Sequence, residues 1–174
     1  MKGTIDYLTG AENAAACHFC PEGGSEFRVY RPGDIKGYRF LDDGVYYVSR
    51  TFDVDGRPVG MFAEFLLQGG VSLYRYEGGE YARYFLVDSD GRTASIEERD
   101  YEDFRDEERI QKKRENVRDA AQILNKSQEA NRRLWREKMT AENLVGITRS
   151  YNEQYCTEEG DCVVLDRKST RLNS

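Results

Sequence analysis

Val59-Gly60-Met61-Phe62-Ala63-Glu64-Phe65-Leu66-Leu67-Gln68-Gly69-Gly70-Val71-Ser72-Leu73-Tyr74-Arg75-Tyr76 decides the fold. Residues 59–68 are mostly apolar, with Met61, Phe62, Ala63, Phe65, Leu66 and Leu67 almost contiguous. A run this short and this apolar reads as a strand buried on both faces. Gly69-Gly70 supplies a turn, and the following residues alternate around Val71 and Leu73. Two strands joined so tightly must be antiparallel, because a parallel pair needs a long crossover.

The same grammar extends upstream. Asp53-Val54-Asp55-Gly56 is a turn, residues 45–52 a strand, and Asp42-Asp43-Gly44 a hairpin signal that leads back to a strand at 37–40. Arg31-Pro32-Gly33-Asp34 is a further turn. Before it, residues 26–30 alternate, with Phe27 and Val29 on one face. Met1-Lys2 runs directly into Gly3-Thr4-Ile5-Asp6-Tyr7, which also reads as a strand. Downstream, Glu77-Gly78-Gly79 and Ser89-Asp90-Gly91 separate strands at 80–88 and 93–96.

Near residue 98 the period changes. Ile110, Val117, Ala120, Ala121 and Leu124 recur at helical spacing within a heavily charged stretch. A second helical stretch carries Leu134 and Trp135. A third starts at Thr140, an N-cap residue flanked by Met139 and Leu144 at the positions of a hydrophobic staple. Leu144, Ile147, Thr148, Tyr151 and Tyr155 form its apolar face. The expected class is α+β: an antiparallel sheet of roughly seven to nine strands over residues 2–97, then about three helices over 102–156. The expected organisation is a β domain at 1–98 and a charged helical region at 99–156, packing on that domain or projecting from it. Residues 157–165 then start a further strand.

The chain has 174 residues, 26 basic and 32 acidic, a formal charge of −6. An acidic balance excludes the basic footprint of a nucleic-acid partner. No window approaches the apolar length of a membrane span, and no signal peptide precedes the first strand.

Chemistry-bearing motifs are few. Cys17-His18-Phe19-Cys20 is a Cys-x-x-Cys pair, a pattern used for zinc or for a redox dithiol. Pro21 follows it and β-type segments surround it, so the helical context of a redox motif is missing. In a regular strand the two thiols point to opposite faces. The bland reading is that they pack as small apolar side chains. Cys156 and Cys162 bracket a polar, glycine-containing segment and are a disulfide candidate in an oxidising compartment. His18 is the only histidine and reads as a structural or surface residue. The glycine pairs are turn glycines and have no Lys-Ser/Thr step of a phosphate loop. The acidic run from Glu97 to Glu108 lacks a calcium-loop pattern and reads as a solvated helix start. Tyr46, Tyr47, Tyr74, Tyr76, Tyr81 and Tyr84 offer a possible binding face, although such rings more often pair across strands. No catalytic residue, metal site or cofactor is expected.

Several of these segments resemble the N-terminal region of a group of Bacteroidetes outer-membrane β-barrel proteins. The resemblance is carried by Asp34-Ile35-Lys36-Gly37-Tyr38-Arg39-Phe40, by Tyr46-Tyr47-Val48-Ser49, and by residues 64–76. The opening residues 2–7 and the close from Leu144 through Tyr151 to Cys156 and Cys162 fit the same region. The resemblance implies an accessory module on the periplasmic side of the outer membrane. It implies a signal peptide that this fragment lacks and, as the partner of the module, a β-barrel after Leu165 in the same parent chain. It makes the Cys156–Cys162 disulfide plausible and carries over no catalytic residue. Residues 166–174 back-translate, in one frame, to a common short-read sequencing adapter. They are therefore expected to be a non-native tail.

Three functional readings follow. The first is a non-catalytic binding or scaffold module of an exported protein, ligand unknown. The second is a small cytosolic metal or redox protein using Cys17 and Cys20. The third is a secreted domain that binds a ligand on a tyrosine face.

Overall fold

The structure, a computed structural model, describes residues 1–102, 104–155 and 165–166. It is α+β. Nine strands lie within residues 2–97, but they form two sheets and not the single one expected. In the smaller sheet the order is β1 (Gly3–Ile5), β2 (Cys17–Pro21), β3 (Arg28–Tyr30). The larger sheet follows chain order: β4 (Gly37–Arg39), β5 (Tyr46–Val54), β6 (Arg57–Gln68), β7 (Val71–Tyr76), β8 (Arg83–Asp88) and β9 (Thr93–Glu97). Helix α1 (Gly10–Ala15) joins β1 to β2. Helices α2 (Asp106–Ile123), α3 (Gln128–Arg136) and α4 (Ala141–Tyr155) follow the sheet. A short strand β10 (Leu165–Asp166) pairs antiparallel with the end of β6. Among the described residues no helix is long and apolar enough to cross a membrane.

The chain divides into two compact units. One holds Met1–Phe65 and Tyr76–Glu80. The other holds Leu66–Arg75 and the described residues from Tyr81 onward. The change in composition near residue 98 marks where strands give way to helices, whereas the compact units divide within β6 and β7.

In the first unit, turn chemistry sets the register. Asp55 and Gly56 both have positive φ, 54° and 78°. Two such residues in a two-residue loop make the turn whose twist matches flanking strands. The Asp53 carboxylate accepts the Gly56 N–H at 2.8 Å and fixes the loop. Pairing then runs from Val54 opposite Arg57 to Tyr47 opposite Glu64. The 59–68 run behaves as its composition predicts: Met61, Phe62, Ala63 and Glu64 are buried in succession, hence on both faces. The core of this unit is Cys17, Phe19, Tyr38, Val45, Tyr47 and Phe62. Of Phe27 and Val29, expected on one face of a strand, Phe27 precedes β3, and both are exposed.

In the second unit, α2 lies on β9 and β8. Its buried residues, Val117, Ala120 and Ile123, lie in the C-terminal half. Ile110, on the thin stripe near the start, is 54% exposed. The charged helix therefore packs by one end of its stripe. Asp106, Glu107 and Glu108 occupy its first turn, where the helix dipole favours acids. Helix α4 starts as expected: the Thr140 hydroxyl accepts the Asn143 N–H at 3.3 Å, and Met139 and Leu144 are both buried in one core. Helix α3 is capped by the buried Ser127, whose hydroxyl accepts the Ala130 N–H at 3.1 Å.

Candidate functional site

The first unit holds a groove of about 800 Å³. Its apolar lining comes from Cys17 and Phe19 on β2, Tyr38 on β4 and Ile5 on β1. Exposed Lys2, Glu22 and Arg39 bring charge to its margin. Cys20 and Tyr46 also line it. The structure therefore brings together three of the residues singled out in the sequence: Cys17, Cys20 and Tyr46.

Each of these is held by strand geometry. Tyr38 faces Tyr47 across the β4–β5 pair, and their rings stack with centroids 5.0 Å apart. The edge of the Tyr38–Phe62 contact is T-shaped at 5.1 Å. The Tyr38 hydroxyl donates to the carbonyl of Asn13 in α1 at 2.6 Å, which ties the helix to the sheet. Burial pushes this phenol far above its ordinary range. Tyr46 faces Arg39 across the same strand pair, and the guanidinium lies 5.0 Å from the ring centroid. Phe65 lies on it at 6.1 Å.

Cys17 and Cys20 are both buried free thiols. Cys17 belongs to the apolar core, and burial pushes its thiol up to about 11. Cys20 makes a weak contact with the Pro21 carbonyl at 3.8 Å. A thiol that keeps its proton at neutral pH is a poor nucleophile. Cys17 in the folded chain should therefore react with an aromatic disulfide reagent at pH 8 about 100-fold more slowly than in urea, as its thiolate fraction falls. Peptide mapping of the labelled protein reads this. Equal rates in the two states would mean that the thiol is neither buried nor held protonated.

The expected tyrosine face is not one surface. Tyr74 and Tyr84 are buried in the second unit, at 5% and 0% exposure. They lie on β7 and β8, interior strands of the larger sheet. Tyr84 packs in the same core as Val117 of α2, and its hydroxyl donates to the Glu98 carboxylate. Tyr46 and Tyr76 are half-buried in the first unit. His18 sits 3.9 Å from the Asp6 carboxylate and is partly exposed. Among the described residues no group of three or more His, Cys, Asp or Glu side chains converges on a metal position. The Cys156–Cys162 pair lies outside the described residues, as does the tail beyond Asp166.

Three residues escaped the sequence reading. Thr9 and Glu12 form a reciprocal capping box on α1, a Thr-x-x-Glu signal visible in the sequence. Asn152, buried within α4, uses its amide on the backbone of β7: it accepts the Val71 N–H and donates to the Val71 carbonyl, each at 2.8 Å. Nothing in the spacing around Asn152 announces this. Comparison with family models, with curated proteins and with solved structures finds no match to the chain.

Proposed function

We propose that the chain is a non-catalytic accessory module of an exported outer-membrane β-barrel protein, working by binding or scaffolding on the periplasmic side. One observation carries the reading. The segments that resemble that family are the paired strands of the fold and the lead into them: 34–40 contains β4, 46–49 opens β5, and 64–76 spans the end of β6 and all of β7. Their apolar members Tyr38, Tyr47, Leu66, Leu67, Val71 and Leu73 are buried. What is shared is pairing and core, the parts a scaffold needs.

The groove in the first unit suits this reading, since its lining is apolar side chains with charge only at the margin. The burial of Cys17 in an apolar core speaks against the redox reading, and buried Tyr74 and Tyr84 speak against a tyrosine face. The parent gene is the test. A signal sequence upstream and alternating strand-length segments of about ten residues downstream are expected, with the tagged protein in the outer-membrane fraction. A stop codon soon after Leu165, with no export signal upstream, would end the proposal.

A further inference from the structure

The second unit has a smaller groove of about 370 Å³, where the start of α2 meets the end of α3 and the segment before α2. Its charges do not cancel locally. The acids of the lining are already engaged: Asp100 and Glu102 with Lys138 at 3.5 and 3.4 Å, and Glu137 with Arg133 at 2.6 Å. Arg109 pairs with Asp106 at 3.1 Å, and Arg99 with Glu97 at 3.2 Å. Among the described residues two cations are left over. Lys113 donates only to the backbone carbonyl of Glu137, at 3.2 Å, and Arg136 has no ion pair among the described residues. Burial and the neighbouring Arg109 hold the Lys113 ammonium below its ordinary range, as expected for a charge short of a counterion.

Two further features converge there. The Tyr101 side chain lines the groove at 8% exposure, with its hydroxyl sealed from solvent. Beside it stand Trp135, 40% exposed, and Ile110, 54% exposed. An exposed indole next to unpaired cations matches a flat apolar body bearing a negative head.

We infer that this groove binds a small carboxylate carried on a flat apolar ring, with Arg136 and Lys113 on the carboxylate and Trp135 against the ring. The volume lies at the small end of ligand pockets. The site is separate from the groove in the first unit, and the proposal does not depend on the export reading.

Trp135 is the only tryptophan of the chain, so its fluorescence reports directly on the site. Benzoate is the probe, with benzamide as its neutral counterpart and acetate as the head alone. Benzoate should give a saturable change, with benzamide and acetate each weaker by about tenfold or more. Arg136→Gln, at an exposed position, should weaken benzoate about tenfold, and Lys113→Gln should do likewise. Calorimetric titration of both variants guards against altered fluorescence at the neighbouring indole. Absence of saturation with benzoate, equal binding of benzamide, or undiminished binding by both variants would overturn the inference.

Discussion

Asn152→Ala should lower the unfolding free energy by about 2–4 kcal/mol, because it strips the partners from a buried N–H and a buried carbonyl at once. The side chain is 1% exposed and makes both bonds to Val71, the first residue of β7. In effect the amide acts as one more residue of a neighbouring strand, presented by a helix. Urea denaturation should show a lower midpoint at unchanged slope. Gly69 offers an independent check. A Cβ there would lie 2.3 Å from the Asn152 amide nitrogen, so Gly69→Ala should be destabilising in the native background. In the Asn152→Ala background the same change should cost clearly less, because the obstructing amide is gone. A loss below about 0.5 kcal/mol for Asn152→Ala, or strict additivity of the pair, would show that the clamp contributes little.

Phe62→Ala should cost about 3–5 kcal/mol, the range for deleting a fully buried aromatic ring. Phe62 is 0% exposed, packs edge-on against Tyr38, and sits in the core cluster with Cys17. Its removal should also free Tyr38, which lines the groove of the first unit. The Cys17 labelling rate is the local readout: it should rise in Phe62→Ala under conditions where the protein stays folded by circular dichroism. Phe62→Leu, which leaves a smaller cavity, should fall between wild type and alanine on both measures. A loss under about 1 kcal/mol would mean that the site collapses to fill the cavity.

Local signals in the sequence were read correctly where the physics is local. Asp55-Gly56 needs positive φ and takes it. Thr140 caps α4, and Met139 with Leu144 closes its first turn. The apolar run at 59–68 is buried on both faces. Helix α1 was missed because six residues are too few to show a period, although its capping box was in view. The tyrosines were misplaced for a different reason. Alternation in β7 and β8 separates two faces but does not say which face a helix will cover, and Tyr84 is on the covered one. The Cys17-x-x-Cys20 pair was legible as packing thiols, because a strand needs small apolar groups where a redox motif needs a helix. The Lys113–Trp135 groove was not legible at all. Its residues are separated along the chain and meet only after α2 and α3 pack together.

The bond pair between Val71 and Asn152 spans 81 residues of sequence. During synthesis, then, β7 emerges from the ribosome long before the amide that will satisfy its first residue. The hairpin of β5 and β6 needs only neighbours already made, so it can close early. The first residue of β7 must wait, its N–H and carbonyl without their partner until nearly all of α4 has been translated. That interval is when the chain is most exposed to wrong strand pairing. A ribosome stalled before residue 152 should accordingly display a paired β5–β6 hairpin alongside a Val71 amide that still exchanges its hydrogen.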